Sequence, residues 1–190
     1  AHSISVTMRR AGAWTTFVAP LKTPTGQRRW KAVAGDADLA LLPFDPPADA
    51  LIHPWTAADI LPTDYVLELA EPIISLGYPL GFHDTVNNRP IVRRGSIASE
   101  YGVNFKGQRY YLTDIKHFPG NSGSPVVTRL KQVWQRKNGQ PDIDLAAPHC
   151  LLTGVHSKRE HVAKTTQEAI DLGLGVTWYA SLIEELAATF

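Results

Sequence analysis

Short runs of β-branched and aromatic residues, each closed by Gly, Pro, Asn or Asp, recur along the chain and predict strands and turns rather than helices. Three come early, at Ile4 to Arg10, Trp14 to Pro20 and Asp38 to Phe44. From Asp45 to Asp64 the pattern breaks. Pro46, Pro47, Pro54 and Pro62 lack backbone donors, so no central strand can run through them, and the segment reads as a connection between domains. Beyond Tyr65 six more candidates follow: Ile73 to Tyr78, Ile91 to Ser99, Tyr110 to Asp114, Ser124 to Thr128, Leu151 to His156 and Leu174 to Trp178. Leu130 to His149 and Lys158 to Asp171 read as long irregular insertions among the last of them. One helix is expected, Ser181 to Ala188, with Ser181 as its cap, Glu184 as the reciprocal partner, and Leu182, Ile183 and Leu186 as the buried stripe.

The composition narrows the class. Of 190 residues 44% are hydrophobic and 19% charged, with no low-complexity tract, so the chain is globular. A net charge of +1 with both signs interspersed offers no basic face for nucleic acid. No apolar run approaches the roughly 20 residues needed to cross a bilayer, so no membrane partner is expected. Cys150 is the single cysteine, which rules out an internal disulfide and favours a reducing, cytoplasmic setting. The seven histidines show no ligand spacing, and neither metal nor cofactor is expected. Ala1-His2-Ser3-Ile4-Ser5-Val6 reads as the entry to a strand rather than as a start with Met.

One run carries chemistry: Pro119-Gly120-Asn121-Ser122-Gly123-Ser124-Pro125. A serine hydroxyl becomes a useful nucleophile when a base takes its proton and fixed donors hold the developing oxyanion. Glycines at 120 and 123 allow a tight turn that aims the amides of Gly120 and Ser122 at one point. The nucleophile elbow Gly-x-Ser-x-Gly is a competing pattern, but position 124 is Ser and no βαβ alternation surrounds it.

With Thr113-Asp114 ahead of it and Val126-Val127 behind, this run resembles the active-site serine segment of trypsin-like peptidases, particularly the bacterial disulfide-free kind. Asp38-Leu39-Ala40-Leu41-Leu42 resembles the strand whose Asp orients the catalytic His, with Asp36 a weaker candidate. Gly77-Tyr78-Pro79-Leu80-Gly81, Val92 to Ser99, and Leu152-Thr153-Gly154-Val155-His156-Ser157 resemble strands of the second barrel and the substrate channel. The resemblance implies an all-β fold of two antiparallel six-stranded barrels with a C-terminal helix. Residues 1–45 would be the remainder of an N-terminally incomplete first barrel, 46–64 the linker, 65–180 the second barrel and 181–190 the helix.

It also implies hydrolysis of peptide or protein substrates through an acyl-enzyme. Ser122 would be the nucleophile, Asp38 the acid, the amides of Gly120 and Ser122 the oxyanion hole, and His156, His117 and Lys116 the substrate pocket. Asp114 takes no catalytic role. An acidic preference follows from His156, and a pocket imidazole titrating near neutrality would weaken it above pH ~7. The base is left open: His2 is the only His before Asp38, and the alternative is an imidazole on strands supplied by upstream chain or by another polypeptide. A binding or regulatory module with a broken triad is the other functional class.

Overall fold

The computed structural model describes residues 2–10, 12–145, 147–163 and 169–190. In chain order the strands are β1 (Ser3–Arg10), β2 (Ala13–Pro20), β3 (Lys31–Ala32), β4 (Ala40–Leu41), β5 (Pro72–Gly77), β6 (Ile91–Ser96), β7 (Tyr110–Thr113), β8 (Pro125–Thr128), β9 (Val133–Gln135), β10 (Pro141–Ile143), β11 (Leu152–Ala163) and β12 (Ala169–Tyr179), followed by helix α1 (Ser181–Ala187). No described helix is long and apolar enough to cross a membrane.

The six strands expected after Tyr65 form one antiparallel sheet in the order β6-β5-β8-β11-β12-β7. Its two outer strands meet. Ile97 bridges Thr113, Ala98 N donates to Leu112 O at 2.8 Å and Asp114 N donates to Ser96 O at 3.1 Å, which turns the sheet back on itself. Alternation along β5 puts Ile73, Ser75 and Gly77 inside, as a period of two requires. The residues of β7 are all buried because its faces serve different clusters. Tyr111 joins Ile73, Ile97, Val126 and Trp134, while Tyr110 and Leu112 join Val176, Trp178 and Leu182.

Residues 2–45 are less regular. β1 and β2 make a hairpin, and β3 pairs only with β4, so the described first part holds two two-stranded sheets rather than a six-stranded barrel. The expected strand Asp38 to Phe44 shrinks to Ala40–Leu41, since Pro43 has no donor to extend the pairing. Ile4, Leu21, Trp30, Leu41 and Leu42 line a cavity of about 520 Å³ between these sheets. The segment after Asp45 is docked at both ends: Arg10 bridges Ala50, and Leu61 N donates to Leu152 O at 2.9 Å.

Three expectations need correction. Leu130 to His149 is not irregular, because β9 and β10 pair across Asn138-Gly139, with Gly139 at φ 83° and Gln140 N bonded to Asn138 Oδ1 at 2.9 Å. Trp134 anchors that hairpin in the core, stacked on Tyr65. Lys158 to Asp171 is largely the paired continuation of β11 and β12, although 164–168 lie outside the described residues. Ser181 does not cap α1: Ala180 occupies the cap with helical φ/ψ and no side-chain bond, and Ser181 is the first helical residue. Leu182 and Leu186 are the buried stripe, while Ile183 is half-buried beside Leu152 and Ala180.

Ser181→Ala should therefore shift the unfolding free energy by less than about 0.5 kcal/mol, the range of a featureless surface change. Leu182→Ala, which empties a site with no exposure, should cost about 2–5 kcal/mol. Urea unfolding measures both, and a loss above about 1 kcal/mol for Ser181→Ala would restore it as a cap.

Candidate active site

The serine run is held from two sides. Gly123 N donates to His156 O at 2.8 Å and His156 N donates to Ser124 O at 2.9 Å, which fixes the end after Ser122 to β11. At the other end Leu80 N donates to Pro119 O at 2.7 Å. Gly120 sits at φ 92°, and a Cβ there would lie 2.7 Å from Tyr78 O, so both the turn and the close approach require glycine. At Gly77 a Cβ would lie 2.2 Å from Ser124 Oγ, so a larger residue there would push that side chain aside. With Pro119 O engaged by Leu80, the amides of Gly120 and Ser122 donate to no acceptor among the described residues.

Asp38 reaches the same place from the first part of the chain. The turn at Gly35, φ 83°, folds back so that Val33 N donates to Leu39 O at 3.0 Å. Val33, Ala37 and Leu39 then pack against the cluster of Tyr110, Leu112, Val176, Trp178 and Leu182, which leaves Asp38 facing Ser122. Asp36 turns elsewhere and accepts from Gln108 Nε2 at 3.4 Å.

Ser157 joins the two. Ser122 Oγ donates to Ser157 O at 2.6 Å, and Ser157 Oγ donates to Asp38 Oδ2 at 2.6 Å. The pairing of β11 with β12 steps from His156↔Thr177 to Lys158↔Val176, so Ser157 is the bulged residue, freed from the ladder to serve both partners. Asp38, Ser122, Gly123, His156, Ser157 and Leu41 line a cavity of about 450 Å³. No histidine ring among the described residues bonds to Ser122 or Asp38; His2 is exposed and engages only through its carbonyl, which accepts from Leu21 N. In the conformation described, the Ser122 hydroxyl is bound to a carbonyl, which orients it but cannot take its proton.

The expected pocket residues divide. His117 and His156 meet as parallel stacked rings, centroids 3.4 Å apart at 12°, each only 2% exposed. His117 Nε2 lies 3.2 Å from Ser75 Oγ. Burial pushes His117 down to about 3, helped by the neighbouring His156 and Arg93 and opposed by the Ile115 backbone. Burial likewise takes His156 down to about 4 against the Val176 backbone. Both rings are neutral at physiological pH, so the expected loss of acidic preference through imidazole titration near pH ~7 has no titrating group here. Lys116 points outward over Phe118, its Nζ 5.5 Å from the ring, and Arg93 covers the same ring at 4.7 Å. Asp114 accepts from both the backbone and the hydroxyl of Ser96, a strand-joining role.

Sequence reasoning passed over Ser157, although it stands next to His156. The signal was there, a hydroxyl residue in a channel strand, but the bulge that aims it has no local signature. The described residues hold no group of three or more His, Cys, Asp or Glu able to bind a metal.

Residues 7–134 match the trypsin-like peptidase domain family. The chain belongs to the trypsin-like peptidases. Among its relatives, HhoB of Synechocystis sp., named as a serine protease, is 39% identical over 67 residues, 35% of this chain and 16% of HhoB. HhoA of the same organism, likewise named, is 31% identical over 97 residues, 50% of this chain and 23% of HhoA. The matches thus span less than a quarter of either relative. The matched stretch takes in both Asp38 and the serine run of this trypsin-like peptidase domain.

The stacked imidazoles make a pH prediction. With folded values near 3 and 4 below the ordinary 6.5, the unfolded chain binds protons that the folded one refuses. Their stabilisation is present above pH ~6.5 and is lost as pH falls towards 4, by up to about 1.4 kcal/mol per pH unit for each ring. Ring NMR shifts of His117 and His156 should stay at neutral values down to pH ~5 while the urea midpoint falls. Titration of either ring near 6.5 would refute the assignment.

Proposed function

We propose that this chain supplies the nucleophile and the acid of a serine endopeptidase that cleaves peptide bonds through an acyl-enzyme. The observation that carries the reading is the chain of contacts from Ser122 through the bulged Ser157 to Asp38, beside two amides with no acceptor among the described residues. Ser122 attacks, the amides of Gly120 and Ser122 receive the oxyanion, and Asp38 fixes the tautomer of an imidazole that enters the cavity between them. No cofactor is needed for this chemistry.

That imidazole would come from outside the described residues, carried by β strands from upstream chain or another polypeptide that cover the cavity lined by Ile4, Trp30, Leu41 and Leu42. On this reading residues 1–45 form part of a first six-stranded barrel, 46–64 the inter-barrel connection, 65–180 the second barrel and 181–190 a closing helix. Strands added to the edges of β2 and β3 that have no partner among the described residues would supply the missing pairing. A reducing compartment suits the lone Cys150. Lys116, with the neutral rings of His117 and His156 as donors, would favour an acidic residue before the scissile bond.

The other reading is a binding or regulatory module, favoured by the absence of any described imidazole beside Ser122. A fluorophosphonate probe separates the two on the full-length protein, since it attaches only to an activated serine. Labelling of Ser122, abolished by Ser122→Ala and reduced by about 10⁴-fold in rate by Asp38→Asn, is the expected result. No labelling under conditions where the protein is folded would leave the module. A peptide-library profile should peak at Glu or Asp before the cleaved bond, unchanged between pH ~6 and ~8 because the buried rings do not titrate there. A peak at aromatic or basic residues would exclude the acidic preference.

A further inference from the structure

Four large apolar side chains stand in solvent on residues 78–86: Tyr78 is 39% exposed, Leu80 72%, Phe82 70% and Val86 79%. Scattered exposed apolar residues need no explanation, but four on one short stretch mark a surface that meets something. The stretch is built to hold its shape. Gly81 N donates to Tyr78 O at 3.0 Å, Phe82 N to Pro79 O at 2.8 Å, and Tyr78 Oη to Asn88 O at 3.3 Å, while His83 sits edge-on to the Tyr78 ring. Leu80 is in the left-handed region, φ 53°, ψ 24°, a conformation unfavourable for a residue with a Cβ. Such strain persists where the surroundings over-determine it, and it concentrates at functional sites.

The turn is also tied to the nucleophile run. Leu80 N bonds Pro119 O, and Tyr78 O packs where a Gly120 Cβ would stand. β11 holds the opposite end, through Gly123, Ser124 and the bond from Ser122 to Ser157. A peptide crossing Ser122 therefore has β11 on one side and the 78–82 turn on the other.

We propose that Leu80 and Phe82 form the wall that receives the leaving side of the substrate, and that this wall selects a large apolar residue immediately after the scissile bond. The proposal rests on Ser122 being the nucleophile. A rigid turn favours such recognition because little freedom is lost when the apolar side chain docks.

The test uses full-length protein and two tripeptide amides that mimic the leaving fragment, Leu-Ala-Gly and Ser-Ala-Gly, titrated by amide NMR without any turnover. The leucine peptide should shift the amides of Leu80, Phe82 and Gly120 and bind about fivefold tighter than the serine peptide. The double variant Leu80→Asn, Phe82→Ser should erase that difference; Asn tolerates the left-handed region and position 82 is open, so the turn keeps its backbone. In cleavage of a mixed peptide library, apolar residues should be enriched after the cut by wild type and lose that enrichment in the variant. Equal binding of the two peptides, shifts mapping elsewhere, or self-association of the protein through residues 78–86 would overturn the wall while fluorophosphonate labelling of Ser122 stands. Failure of that labelling would overturn the nucleophile reading and the leaving-side assignment with it.

Discussion

Ser157 is the residue through which the two parts of the chain share one site. Its carbonyl holds the Ser122 hydroxyl, its own hydroxyl holds Asp38, and it can serve both because a bulge takes it out of the β11–β12 ladder. An unbulged strand would commit the Ser157 backbone to pairing or turn its side chain to the other face. The rest of the site is arranged around that fixed point. His156 on one side of it grips the serine run by two backbone bonds, and Val155 pairs with Pro125 of β8. The position of Ser122 relative to the sheet is thus set by backbone bonding, to β11 at one end of the run and to the Leu80 turn at the other.

Beneath the site the six-stranded sheet also buries polar residues, Ser75, Thr113, His117, Asn121, Ser124, His156 and Thr177. Burying that many polar groups costs stability unless they satisfy one another, and a charged ring among them would cost more. Stacking of His117 on His156 at 3.4 Å is tolerable only with both rings uncharged, since two imidazolium ions at that distance would repel in a medium with little water to screen them. The positive charge of the region sits instead on Arg93 and Lys116, which share Phe118 on the surface side. Neutral donors inside and cations at the rim are the electrostatic setting any bound side chain would meet.

The second part of the fold was legible because its strands carry their own punctuation. Ile73 to Tyr78 alternates, Tyr110 to Asp114 is continuously apolar until its end, and the serine run follows at a spacing that the family resemblance recognises. The β9–β10 hairpin was missed although Asn138-Gly139 announces a turn, because Val133-Trp134-Gln135 is too short to read as a strand without Tyr65 to pack on. The cap at Ser181 failed for a different reason: Ala180 N bonds Thr153 O, so the chain enters the helix from a fixed tertiary contact and has no need of a side-chain cap. Ser157 and the strained Leu80 were illegible for one shared cause. Bulges and left-handed residues are imposed by the neighbours they meet, Thr177 and Val176 for one, Pro119 and Gly120 for the other.

What the cavity beside Ser122 requires of its occupant can be stated from the groups that face it. For Ser122 to act as proposed, its hydroxyl would have to exchange the Ser157 carbonyl for an acceptor that can carry its proton, so the occupant would have to present a basic atom within about 3 Å of Oγ. Asp38 is exposed in the conformation described and already accepts one bond from Ser157. A carboxylate open to water stabilises a developing cation weakly, whereas the same carboxylate covered by the occupant acts through a low dielectric. One group that donates to Asp38 from one edge and accepts from Ser122 at the other satisfies both demands, and an imidazole has that geometry. On the proposed function, insertion of such a group would exclude water from Asp38 and bring a base to the hydroxyl in a single step, which would make assembly of the site and its activation one event.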